Sequence, residues 1–379
     1  MEREEKIAVL QDVMRMKSVN DHETEVATYL KDLLAEHGID SELVHYEGDR
    51  SNLVAELHGA EAGKVLGISG HLDVVAAGDE SEWIHPPFDA VIEDGKLYGR
   101  GSTDMKAGTV GLVIAMIELK ESGRPFKGTI KLLATFGEEI GTLGSKQLTS
   151  LGYADDLDGL LIAEPSGPNE LVSAHKGSIS YKVVSKGKSS HSSMPGEGIN
   201  AINQLNAFIT RANASMQEVA DEYESEKLGR TTQAITLISG GTQINSIPER
   251  AELEGNIRSI AEYDNDKIQA RLTAIIDEIN QEIDGSLELT FTQNNFPVDK
   301  PSDNDLILAA QKVVGDLPVV GISPTTDGAQ FTQADNHFDF LIFGPGEPSL
   351  PHQLNEFVKV EEYLSFIDIF QDIFVTYLA

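Results

Sequence analysis

Two neighbouring stretches, GISGHLDVV at residues 67–75 and LYGRGSTDMKAG at 97–108, decide how this chain is read. The apolar run Val65 to Ile68 feeds directly into Gly70-His71-Leu72-Asp73, so a buried strand breaks into a loop at a histidine and a carboxylate. Sites of α/β proteins are built at such strand ends. A lone His-x-Asp pair is more often a satisfied loop pair than a ligand set. Here the arrangement recurs. Gly128 to Phe136 (GTIKLLATF) is a second apolar run, closed by Gly137-Glu138-Glu139, and Asp158 to Ala163 (DGLLIA) is a third, closed by Glu164-Pro165. Three buried strands that each end in an acid concentrate negative charge where it is costly unless something positive receives it. A divalent metal is the simplest explanation, with Asp104 as a further carboxylate beside it.

Composition sets the bounds. The chain has 379 residues and is 40% hydrophobic, enough for two domains with buried cores. Its formal net charge of −33, with 29 Lys and Arg against 62 Asp and Glu, excludes a nucleic-acid binder, which needs clustered cations. No run of about 18 apolar residues is present, and MEREEKIAVLQDVMRMKS reads as a charged amphipathic helix rather than a leader, so the expectation is a cytoplasmic protein with no membrane partner. With no cysteine, any metal is held by His, Asp and Glu, a donor set that suits Zn, Mn or Co.

Read in order, Met1 to Lys17 carries a helical apolar spacing, and Asn20 with Glu23 suggests a capping box opening a helix that runs to Glu36 and closes at Gly38. Met105 to Lys120 is a long apolar helix, with Ala107 and Gly108 small enough to let it pack tightly under the site. Alternating strands and helices to about Glu164 imply a mostly parallel sheet flanked by helices. After Ala174 the order becomes β-α-β-β-α-β, an α+β, ferredoxin-like insertion. From Pro301 the earlier style returns. The expected division is residues 1–176 with 296–379 as the catalytic domain, and 177–295 as a lid and dimerisation domain.

These blocks resemble the zinc-dependent amidohydrolases and exopeptidases that include succinyl-diaminopimelate desuccinylase, acetylornithine deacetylase, aminoacylase and glutamate carboxypeptidase. The resemblance runs through Gly70-His71-Leu72-Asp73, Gly99-Arg100-Gly101-Ser102-Thr103-Asp104-Met105-Lys106, Glu138-Glu139-Ile140-Gly141, Glu164-Pro165 and a late His352, nearly the whole chain. It implies two metals, zinc foremost with cobalt or manganese as substitutes. His71 and Glu164 would hold one, Glu139 and His352 the other, and Asp104 would bridge them. Asp73 would accept the proton on the far nitrogen of His71, and Glu138 would be the general base. In the insertion, His191 would meet the substrate carbonyl, while Asn245 and Arg258, with Thr325 and Gly328 of the TTDG loop, would bind the rest of the substrate.

The resemblance further implies hydrolysis of an amide in a small N-acyl amino acid by a homodimer. The segment Asp79 to Phe88 (DESEWIHPPF) is similar to desuccinylases and acetylornithine deacetylases, which makes N-succinyl-L,L-diaminopimelate the first expected substrate and acetylornithine or another N-acyl amino acid the second. Dipeptidase or carboxypeptidase activity is a further rival, and a non-catalytic binding module is disfavoured by the intact acid set. Two positions depart from the desuccinylase pattern: His175-Lys176 stands where that pattern has two arginines, and Met194 where it has an aromatic residue.

Overall fold

The run that ends in His71 forms the strand Glu61–His71, and its two neighbours in the sheet are the other runs that end in acids. Lys127–Thr135 lies on one side and Gly159–Ile162 on the other, both parallel to it. Their carboxyl ends are therefore level: His71 pairs with Thr135, and Ser69 with Ile162. The computed structural model describes residues 1–379. It divides into one unit of Met1–Ser173, Lys300–Val320 and Thr326–Ala379, and a second of Ala174–Asp299 and Gly321–Thr325.

In the first unit the sheet runs Ser41–His45, Ser51–His58, Lys127–Thr135, Glu61–His71, Gly159–Ile162, Asp339–Ile342, and then Leu171–His175 through Val172. The four central strands are parallel, and they are buried along most of their length, as apolar runs without alternation require. Helix Ala107–Ser122 is buried almost all round and packs on the last helix, Val360–Tyr377. That last helix buries Tyr363, Phe366, Ile367, Phe370, Ile373 and Phe374, each contributing about 1.5–3 kcal/mol relative to exposure. A Cβ at Gly108 would stand 2.1 Å from the carbonyl oxygen of Ala163, next to Glu164. Only glycine lets this helix approach the strand end so closely.

Two expected helix starts shift. Asn20 does not cap the second helix, which is Thr24–Glu36. Val19 is drawn into a parallel bridge with Val74, Asn20 and Asp21 turn with positive φ, and the Glu23 carboxylate accepts from the amide of Asp21. The long helix begins at Ala107 rather than Met105, because Ser102–Lys106 forms a wide turn in which Asp104 and Met105 are not helical. A small sheet of Val91–Glu93, Lys96–Tyr98 and Phe357–Lys359 had no signal in the sequence reading.

The second unit follows the β-α-β-β-α-β order. Its antiparallel sheet runs Thr232–Gly240, Arg250–Arg258, Ser178–Lys186, Ser286–Asn295. Helices Ala201–Glu222 and Asn265–Glu282 are capped by the side chains of Asn200 and Asp264 and bury Leu205, Phe208, Leu272 and Ile276 against Ile179, Tyr181, Val183 and Leu253. No helix of the chain is long and apolar enough to cross a membrane.

His175 is fully buried, with Nδ1 donating to the Lys176 carbonyl, and burial pushes its pKa from the ordinary 6.5 down to about 4. Between those values the unfolded chain binds a proton that the folded chain does not, so this residue's contribution to stability is lost as pH falls from about 6.5 towards 4. His175→Gln removes the titration. In urea unfolding, the wild type is expected to lose about 2 kcal/mol more than the variant between pH 7 and pH 5; identical acid losses would refute the assignment.

Candidate metal centre

The level ends of the three parallel strands bring His71, Glu138, Glu139 and Glu164 to one place, and the wide turn adds Asp104. His71 is buried, and its Nδ1 lies 2.9 Å from the backbone carbonyl of Asp73. A carbonyl only accepts, so Nδ1 carries the proton and the Nε2 lone pair is aimed the other way. There it meets Asp104 Oδ1 at 3.0 Å and Glu164 Oε1 at 3.8 Å. The second oxygen of Asp104 lies 3.4 Å from Nε2 of His352, which also stands 3.0 Å from each oxygen of Glu139. Asp104 thus divides its oxygens between two histidine–glutamate pairs. The ligand atoms of His71, Asp104 and Glu139 lie within 4.8 Å of one another.

The electrostatics call for added positive charge. Burial raises the carboxyls of Glu138 and Glu164 well above the ordinary range; His71 opposes this, while neighbouring acids reinforce it. Hydrogen bonds donated to Asp104 and Glu139 raise His352 to about 10. Burial would lower His71, but the Asp104 bond and the charges of Glu164, Asp73 and Asp104 raise it well above 6.5. Burial would likewise raise Asp104, but His352 and His71 hold it far below the usual carboxylate value. A lone pair facing buried carboxylates is stable only with a cation between them. Divalent ions held by imidazole and carboxylate donors fit these places.

A model of peptidase family M20/M25/M40 matches residues 67–376. The chain belongs to this family. It is 39% identical to a probable succinyl-diaminopimelate desuccinylase of Staphylococcus epidermidis, over 100% of this chain and 99% of that one. Among solved structures it resembles an M20 family metallo-carboxypeptidase from Sulfolobus solfataricus, with TM-score 0.83, 20% identity and coverage of 100% of this chain and 99% of that one. It also resembles a dinuclear metal-binding M20 peptidase from Bacillus subtilis, with TM-score 0.72, 18% identity and coverage of 99% and 98%. The protein is a metal-dependent hydrolase of the M20 family.

One expected contact is different in this M20 chain. The proton on Nδ1 of His71 goes to the backbone carbonyl of Asp73, while the Asp73 carboxylate stands off at 3.6 Å. That carboxylate is already engaged, with Oδ1 accepting from the amide of Glu138 and Oδ2 from that of Glu139, each at 3.1 Å. Asp73 therefore anchors the Glu138-Glu139 loop and orients His71 through its main chain.

The remaining predicted residues fall in both units. His191, exposed, accepts the amide of Ser193 on Nδ1 at 3.2 Å, which leaves the ring proton on Nε2. Asn245 is exposed. Arg258 donates to Thr325 Oγ1 at 3.2 Å, and that hydroxyl donates to the Lys176 carbonyl at 2.9 Å. Gly328, in the first unit, opens a four-residue helix.

Several buried residues of the site went unnoticed in the sequence. Asp327 accepts the hydroxyls of Thr135 and Ser145, and burial lifts it to about 6 against those bonds. Lys106 is buried and donates to the carbonyls of Val13 and Met16 at 3.0 and 2.8 Å, tying the first helix to the Asp104 turn. Glu356 is fully buried beside Arg100. Asp327 and Lys106 lie inside quoted blocks and were legible by position; Glu356 follows a proline loop and carried no signal.

Proposed function

We propose that the chain is a di-metal amidohydrolase that removes the acyl group from a small N-acyl amino acid, N-succinyl-L,L-diaminopimelate first. One observation carries the reaction class: the two oxygens of Asp104 face two separate histidine–glutamate pairs. In this reading His71 and Glu164 would hold one ion and Glu139 and His352 the other, with Asp104 shared between them. Zinc is the first choice for a set without sulfur, with cobalt and manganese as substitutes. When bound, the ions lower the pKa of water and polarise the scissile carbonyl.

Glu138 does the proton work. Set beside Glu139 at the end of its strand, it is assigned to take a proton from the attacking water and return it to the leaving amine. The hydrogen bond that the Glu138 amide donates to Asp73 Oδ1 fixes the loop on which it sits. His191, with its ring proton on Nε2, is assigned to donate to the carbonyl oxygen as charge develops there. Arg258, steadied by Thr325, is assigned to a substrate carboxylate, with Asn245 and the Gly328 loop completing the grip.

The succinyl preference is supported by the name of a relative aligned over the full chain. A second reading, an acetylated amino acid such as acetylornithine, is favoured by one feature. His175 is buried and neutral, and Lys176 donates to the Arg230 carbonyl at 2.6 Å, so no guanidinium pair stands there for a second carboxylate. We further infer a homodimer through the second unit. Its edge strand Thr232–Gly240 exposes Leu237 and Ile238, and an uncovered apolar edge invites pairing with a second copy.

Zinc-loaded enzyme offered N-succinyl-L,L-diaminopimelate and N-acetylornithine is expected to prefer the succinyl compound by about 100-fold in kcat/KM, or roughly 2.7 kcal/mol. A reversed ratio assigns the acetyl substrate, and turnover of dipeptides alone overturns both. Glu138→Gln is expected to lower kcat by roughly 10²–10⁴ while bound metal, measured by atomic absorption, is unchanged; near-normal kcat would remove Glu138 from the proton path. Sedimentation equilibrium is expected to give twice the chain mass of 41.1 kDa, and a fully active monomer would dismiss the dimer.

A further inference from the structure

Glu356 takes no part in the cluster, yet it is fully buried and saturated with donors. Its Oε2 accepts from Arg100 Nη1 at 2.6 Å and from the amide of Gly101 at 3.1 Å; its Oε1 accepts from the amides of Thr103 at 2.8 Å and Asp104 at 3.0 Å. Three amides of the Asp104 turn thus converge on one carboxylate. The turn has little freedom to go elsewhere, since Gly101 has φ +83° and a Cβ there would stand 2.4 Å from Val74 Cγ1. Arg100, also buried, uses the rest of its fork on the other metal-site loop: Nη2 donates to the carbonyl of His352 at 3.4 Å and Nη1 to that of Gln353 at 3.2 Å. The two segments are joined further by Thr103 Oγ1 donating to the Phe357 carbonyl at 2.6 Å and by the Tyr98–Phe357 strand pairing.

His352 has few other restraints. It lies in an exposed loop with φ +63°, and its ring meets Asp104 and Glu139 from outside the sheet. We propose that Arg100 and Glu356 are positioning residues: one ion pair holds the backbone of Asp104 at one end and that of His352 at the other, and so sets the metal affinity of the site they share. The proposal rests on the di-metal reading above. The bonds of both residues go to each other and to backbone groups, and none goes to a side chain of the cluster. A carboxylate with four donors fixes its neighbours more tightly than a pair that merely fills space, because any shift breaks several charge-assisted bonds together.

The test is Co²⁺ binding to the metal-free chain, read by competition with a chromophoric chelator, alongside its thermal midpoint. Glu356→Gln places an NH₂ group against two N–H donors whichever way the amide turns, so it breaks the clasp at nearly constant volume. Co²⁺ affinity is expected to fall about 10–100-fold. Tyr377→Phe is the control for lost stability: the Tyr377 hydroxyl shares its one proton between the carbonyl of Asp158 at 2.7 Å and the carboxylate of Asp339 at 2.9 Å, at the strand ends opposite the cluster. It is expected to lower the thermal midpoint and leave Co²⁺ affinity within twofold. Affinity unchanged in folded Glu356→Gln, or an equal loss in Tyr377→Phe, overturns the clasp. If Glu356→Gln does not fold, Arg100→Lys keeps the charge but loses the fork that reaches His352; affinity equal to wild type then overturns the proposal. A wild-type chain that takes up no Co²⁺ overturns the metal reading, and the clasp with it.

Discussion

Negative charge gathered at one end of a parallel sheet is the constraint on which this molecule is built. Asp104, Glu138, Glu139 and Glu164 lie together, partly buried, and no lysine or arginine is bonded to any of them. The compensation comes from two imidazoles, both driven towards the protonated form by their acidic neighbours. A site that raises two histidines while lifting three glutamates is arranged for more positive charge than side chains provide. That demand is what a metal-dependent hydrolase of this family answers with ions.

The sheet order creates the gathering. Had the three acid-ending strands been separated, each acid would have opened on its own loop and found solvent. Placing Lys127–Thr135 and Gly159–Ile162 directly beside Glu61–His71, parallel and level, puts their terminal residues in contact instead. The helix that follows Asp104 must then come close beneath, and Gly108 against the Ala163 carbonyl is where the chain accommodates it. Local sequence, strand register and charge are therefore one device, because a change in register by a single residue would turn His71 or Glu139 away from the cluster.

Much of this was legible because the signals were strong and local. Unbroken apolar runs marked the buried strands, and an acid at the end of each marked the site. What escaped depends on contacts distant in sequence. The Asn20 cap failed because Val19 pairs with Val74, a tertiary bridge that overrides capping preference. The turn at Ser102–Lys106 looked like a helix start because its amides have no local reason to stay out of a helix; the reason is Glu356. The strand Phe357–Lys359 is too short to show periodicity and exists through its pairing with Lys96–Tyr98.

The same comparison explains why the sequence could point to acids without sorting them. Asp73, Asp327 and Glu356 are buried carboxylates in or near these stretches, and Asp104, Glu139 and Glu164 are partly buried ones. The two groups differ in what their oxygens receive. Asp73 takes two amides, Asp327 two hydroxyls, and Glu356 three amides and a guanidinium. Asp104, Glu139 and Glu164 meet imidazole nitrogens only. An acid saturated by fixed donors is committed to holding the chain, since removing a donor leaves a buried charge unpaired at high cost. An acid bonded only to groups that exchange protons keeps its lone pairs available for another cation. Side-chain identity cannot separate these classes, whereas donor count does, and it divides this cluster into acids saturated by fixed donors and acids that meet only imidazoles.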